Sequence, residues 1–170
     1  MSGEIVNRVA ASPLVTFDLE QYYTPGRRVL VDIKDLLFEG LILREKDLRL
    51  HVASHPWEQY RGAYVAITCS ADAVIPTWAY MLLTSALQPH AAKIVMGDLD
   101  RLEEALYRDR LDALDWGTFG GKKVVVKGCS GVQVPVSAYA EAMARLRPVA
   151  ASVMFGEPCS TVPLYKAGKA

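Results

Sequence analysis

Two stretches of this chain match each other at one fixed spacing, and that match limits the available folds more than any other feature. Pro76-Thr-Trp-Ala-Tyr80 matches Pro135-Val-Ser-Ala-Tyr139. Leu87 and Leu146 follow at equal distances from the tyrosines, and then come Pro89 and Pro148. Ala91-Ala92 matches Ala150-Ala151, and the stretches close without a gap at Gly97-Asp98 and Gly156-Glu157. Upstream, one residue of slack aligns Cys69-Ser70 with Cys129-Ser130. Self-similarity at a fixed period is the mark of a duplicated unit. The alternative is chance agreement between two similar amphipathic segments, but shared Tyr, Pro and Gly exceed what hydrophobic patterning demands.

Local patterns fill in the units. Tyr64-Val-Ala-Ile-Thr-Cys69, Lys93-Ile-Val-Met96, Lys123-Val-Val-Val-Lys127 and Ser152-Val-Met-Phe155 are short apolar runs, as in buried parallel strands. Between them, Pro76 to Leu87 reads as a helix with Pro76 in its first turn. Its nearly all-round apolar character suggests full burial. Pro135 to Arg147 reads as an amphipathic helix with Val136, Tyr139, Met143 and Leu146 on one face. Asp100 with Glu103 suggests a capping box for a helix striped by Leu99, Leu102, Leu106, Ala113 and Leu114. Before the repeat, Phe17 to Tyr23 reads as a short helix and Val29 to Ile33 as a strand. Leu41 to Leu43 reads as a further strand, and Glu45 to Ala53 as a helix ended by His55-Pro56. Strands alternating with helices predict an α/β fold, a mostly parallel sheet flanked by helices and containing a duplicated β–α–β unit.

A chain of 170 residues suits one domain, residues 1–170, with internal repeats at 62–98 and 121–157. A hydrophobic fraction of 51% and a mean hydropathy of +0.13 argue against disorder. Nineteen basic and nineteen acidic residues cancel, so no global field draws nucleic acid or an anionic membrane. No apolar run approaches the roughly 20 residues that span a bilayer. Met1 to Ala11 lacks the charge and apolar pattern of a signal peptide. The expected location is the cytoplasm.

The three cysteines share a context: Cys69-Ser-Ala-Asp-Ala-Val-Ile-Pro76, Cys129-Ser-Gly-Val-Gln-Val-Pro135 and Cys159-Ser-Thr-Val-Pro163. An odd number without C-x-x-C spacing does not make a disulfide framework in a reducing compartment. Each stands at or just past the end of a predicted strand, the edge where parallel sheets build ligand sites. Neighbouring strands lie about 4.8 Å apart, so three thiols on one edge can converge. Turn N–H groups, and with them Ser70, Ser130 and Ser160, would stabilise thiolates or a bound group. Lys127 would add positive charge near Cys129. Three thiolates suit zinc or an iron–sulfur cluster with one position filled by another group. Asp72 and Glu157 are the candidates for it. His51, His55 and His90 read as solvated surface groups, and Trp57, Trp78 and Trp116 as packing groups. The competing reading of the cysteines is simple burial, common for free Cys. No Walker loop, Rossmann fingerprint, H-E-x-x-H or nucleophile elbow is present.

On Ile67-Thr-Cys-Ser-Ala-Asp-Ala-Val-Ile-Pro-Thr-Trp-Ala-Tyr80, Lys127-Gly-Cys-Ser130 and Gly156-Glu-Pro-Cys-Ser-Thr-Val-Pro-Leu-Tyr-Lys166, the chain resembles an uncharacterised bacterial family. That family is domain of unknown function twenty-four-eighty. The likeness extends over nearly the whole chain, including Glu4 to Arg8 and Leu41 to Lys46. Genes of that family often stand beside SUF iron–sulfur assembly genes. The resemblance therefore implies a link to cluster assembly, with assembly proteins as partners, and weights iron–sulfur over zinc. It carries over no activity.

Three functions follow as expectations. The first is a metal-binding, iron–sulfur-related protein with Cys69, Cys129 and Cys159 as ligands. The second is a cysteine-dependent enzyme such as a sulfur transferase. The third is a non-catalytic partner protein with buried thiols.

Overall fold

The computed structural model describes residues 14–128, 131–157 and 160–168. The fold is α/β, with mostly parallel sheets flanked by helices. Its elements run β1 (Leu14–Asp18), β2 (Arg28–Asp32), α1 (Glu45–Ser54), β3 (Tyr64–Thr68), α2 (Thr77–Leu87), β4 (Lys93–Met96), α3 (Leu99–Asp112), β5 (Lys123–Lys127), α4 (Val136–Leu146), β6 (Ser152–Glu157) and β7 (Ser160–Lys166). Where a single domain was expected, the chain is organised as two compact units. One comprises Pro25–Leu106, and the other is formed by the chain up to Thr24 and from Tyr107 onward.

In the first unit, β3 lies between β2 and β4, all parallel. Successive side chains of a strand face opposite ways. Val65 and Ile67 therefore enter one core, with Leu48 of α1 and Ala79, Leu83 and Leu87 of α2. Ala66 enters another, with Leu102 and Leu106 of α3. Burial on both faces explains why β3 reads as an unbroken apolar run.

In the second unit the order is β1-β5-β6-β7, parallel except for β7, which runs antiparallel to β6. Val124 and Val126 of β5 pack with Phe17, Tyr107, Leu111, Ala138, Ala142 and Leu146.

The units share local devices. A strand ending in aspartate opens each, and Asp18 and Asp32 accept the N–H two residues on, both at 3.1 Å, to start a 3-10 turn. The Trp57 indole donates to Val52 O at 2.8 Å, and that of Trp116 to Leu111 O at 3.0 Å. Gly62 N donates to His90 O and Gly121 N to Val149 O. Gly62 and Gly121, at φ 68 and 67, turn the chain into β3 and β5 in a conformation that favours glycine.

Several expectations need correction. The predicted single sheet is two sheets of three and four strands. Of Phe17 to Tyr23, Leu19–Tyr22 is a short 3-10 helix, while Phe17 and Asp18 end β1. Leu41 to Leu43 is no strand; Phe38 and Ile42 form one isolated bridge across a turn, and Arg44 stacks on the Phe38 ring. β7 was not anticipated from the sequence, and it carries Pro163. It is tolerated on the sheet's edge, next to a register shift opposite Val153 and Met154. The helix cap is Asp98, whose carboxylate accepts Arg101 N–H at 2.9 Å, rather than Asp100; Glu103 pairs with Arg28 instead. Pro76 is the N-cap of α2, outside its first turn. Burial covers only one face of α2, and Met81 on another is 68% exposed. On α4 the fully buried residues are Ala138, Ala142 and Leu146, and Tyr139 and Met143 pack partly buried against the same core, while Val136 of the predicted face stands in solvent.

Candidate functional site

The carboxyl edge of the β2-β3-β4 sheet holds the described cysteine. Cys69 follows the last residue of β3 and is half-buried, with its Sγ 3.8 Å from Ala71 O. The next residue is fastened across the edge. Asp32, the last residue of β2, accepts Ser70 N–H at 3.1 Å and Ser70 Oγ–H at 2.5 Å, together with Lys34 N–H. Desolvation pushes the Asp32 carboxyl upward, but the Ser70 and Lys34 hydrogen bonds and the Lys34 charge outweigh it. The net position is below the usual aspartate value. What this clamp adds to stability is therefore present above the ordinary aspartate range and fades as pH falls through the lowered value.

Tyr80, in the first turns of α2, completes this edge. Burial raises its phenol pKa, and the nearby Cys69 raises it further. Tyr139, its match in the repeat, donates its hydroxyl to Gly128 O at 2.6 Å just past β5. A Cβ at Gly128 would lie 2.9 Å from that hydroxyl and 3.1 Å from Leu19 Cβ, so the turn admits only glycine without rearrangement. At this second edge Glu20 accepts Gly131 N–H at 2.9 Å. Lys127 Nζ lies 3.4 Å from Asp18 and 3.9 Å from Glu157.

The sequence-predicted residues thus divide. Cys69 and Ser70 are neighbours at the β3 edge, and Asp72 is exposed in the same loop. Lys127, Glu157 and Ser160 belong to the other unit's sheet, where Glu157 pairs with Ser160 across β6 and β7. Lys127, expected to add positive charge near Cys129, lies within ion-pair distance of the Asp18 and Glu157 carboxylates. Cys129, Ser130 and Cys159 lie outside the described residues. Among the described residues, β3 belongs to one sheet and β5 and β6 to another. Among the described residues no group of three His, Cys, Asp or Glu side chains is placed to hold a metal.

The histidines are not simply solvated. His51 and His55 stack in a half-buried ring cluster with Trp57 and Tyr60, and His90 lies beside Glu58. Burial, then the neighbouring His55, lowers the His51 pKa. Asp32 and Glu20 were not singled out from the sequence. The available signal was the match between Phe17-Asp-Leu-Glu20 and Val31-Asp-Ile-Lys34.

The profile of the family described as Protein of unknown function (DUF2480) matches residues 3–167, nearly the whole chain. The chain belongs to the DUF2480 family. No curated protein and no solved structure matches this DUF2480 protein significantly. Among the described residues no helix is long and apolar enough to cross a membrane.

Proposed function

We propose that this DUF2480 protein binds a metal through Cys69, Cys129 and Cys159, as an iron–sulfur cluster or zinc, and acts in iron–sulfur cluster assembly. The observation that carries the reading is the place of Cys69. It stands half-buried at the carboxyl end of a central parallel strand, the edge where such sheets build ligand sites. The strands that precede Cys129 and Cys159 in the sequence, β5 and β6, are hydrogen-bonded parallel neighbours. Thiolates are soft donors suited to iron–sulfur clusters and zinc. The candidates for the remaining ligand position are Asp72, exposed in the Cys69 loop, and Glu157, which lies 3.9 Å from Lys127.

The test is anaerobic reconstitution of the full chain with ferrous iron and sulfide, followed by iron and sulfide analysis and visible absorption. Zinc is measured separately on the purified protein. Wild type should hold metal, and Cys69→Ser, Cys129→Ser and Cys159→Ser should each lose it, since two thiolates are too few. Wild type holding neither iron nor zinc, or single variants binding as well as wild type, would overturn the reading.

A second reading, a cysteine-dependent enzyme, is favoured by the separate sheet of β3, which provides Cys69 with an edge of its own. It requires one cysteine to be alkylated fast and alone in metal-free protein, whereas a ligand trio is protected together by metal.

A further inference from the structure

We propose that Asp32 is a positioning residue that holds the Cys69 loop closed against the sheet and so controls access to the Cys69 thiol. This deepens the reading of Cys69 as a functional thiol and rests on it.

The loop from Cys69 to Ile75 leaves β3 and returns to α2 with Cys69, Ala71, Ala73 and Ile75 packed against the core of its unit. Inside it the backbone bond is Ala73 N–H to Ala71 O at 2.9 Å, and Asp72 and Val74 are exposed. Its polar fastening comes from outside the loop. One carboxylate on the adjacent strand takes both the amide and the hydroxyl of Ser70, the residue next to the cysteine. A carboxylate accepting two donors from one residue fixes position as well as distance, and charge-assisted bonds of this kind are worth more than neutral ones. Asp32 is itself anchored, because it caps the 3-10 turn that begins at Ile33. Ile33 is fully buried. The clamp therefore ties the cysteine loop to the core through one short path.

The second unit repeats the device with different atoms. Glu20, just past the end of β1, accepts the N–H of Gly131 in the loop that follows β5. In each sheet an acid from the first strand's end thus holds a loop beyond the central strand. The acid stands two residues later in the second unit, where Glu20 corresponds to Lys34 and Asp18 to Asp32, so the device is similar in kind and not in position.

The test uses the full-length Cys129→Ser/Cys159→Ser chain, in which Cys69 is the sole thiol, kept metal-free with a chelator. The readout is the alkylation rate with iodoacetamide at neutral pH. Asp32→Ala should raise that rate about tenfold or more, since a loop without its clamp opens locally far more often. Asp32→Asn should fall between the two, because its amide oxygen still accepts the Ser70 N–H. Ser70→Ala removes the hydroxyl bond yet keeps the carboxylate charge. A rise of roughly threefold there marks loop release rather than loss of a negative field. Lys34→Ala, which leaves the backbone bonds to Asp32 intact, should match the parent. Thermal melting of each variant separates local opening from global loss of stability. If Asp32→Ala folds and reacts within twofold of the parent, the clamp is overturned. If it does not fold, a Ser70→Ala rate equal to the parent overturns it instead. A wild type that takes up neither iron nor zinc would sink the metal reading alone, since these rates are measured without metal.

Discussion

Leu83→Ala is expected to cost about 2–5 kcal/mol of stability, while Met81→Ala, two residues away on the same helix, should cost close to nothing. Leu83 is fully buried among Leu48, Val65, Ile67, Ala79 and Leu87. Removing three carbons there forfeits their transfer free energy and leaves a cavity that close-packed neighbours fill only in part. Met81 stands 68% exposed, so its truncation removes little from the interior. At roughly 2–4 °C per kcal/mol for a chain of this size, the first variant should melt about 5–15 °C lower than wild type. Thermal unfolding followed by circular dichroism checks both. Equal effects at the two positions would mean that α2 is buried all round, as its composition alone suggests.

Gly156→Ala is expected to detach β7. Gly156 has φ 120, a conformation that a side chain makes costly by about 1–3 kcal/mol. A Cβ there would also lie 2.5 Å from Ser160 O and 3.5 Å from Thr161 Cα, both backbone atoms of the facing strand. A backbone carbonyl in a ladder cannot swing aside as a lysine end can, so the strand itself must move. The six-pair register from Ser152↔Lys166 to Glu157↔Ser160 is what the substitution breaks. Hydrogen exchange should show lost protection in 161–166 with β3 and β4 unchanged. The control is Gly40→Ala: its φ of 72 carries a similar backbone penalty, but nothing lies within 4 Å of its Cβ. Its cost should be the smaller, and β7 should keep its protection. Retained β7 protection in Gly156→Ala would show that the turn absorbs the clash.

Much of the architecture was legible because it is written locally. β3, β4, β5, α2 and α4 were read to within a residue or two of their ends. An apolar run of strand length, a proline at a helix start and a glycine at a turn each act over a few neighbours. The correspondence of Pro76 with Pro135 is likewise visible in residue order, and the family is carried by motifs near the cysteines. At the site, Cys69 and Ser70 at a strand's end were legible for the same reason. Asp32 was not, since it meets Ser70 across 38 residues of chain.

What only the tertiary structure decided is pairing. β1 and β5 are adjacent strands although all of Pro25–Leu106 intervenes between them. No local signal distinguishes that partner from β2, which follows at once. Two short apolar strands are interchangeable by propensity, and the choice falls to which arrangement buries Phe17, Val124 and Leu146 together. Pairing also decided that a proline-bearing segment becomes β7 and which face of α2 is inside. It also put β3, which ends just before Cys69, in a different sheet from β5 and β6, a choice that their similar apolar runs do not show. Spacing along the chain determines an element's type and the face each residue takes. Burial shared among distant elements determines its neighbours, and with them the partners of every side chain at the site.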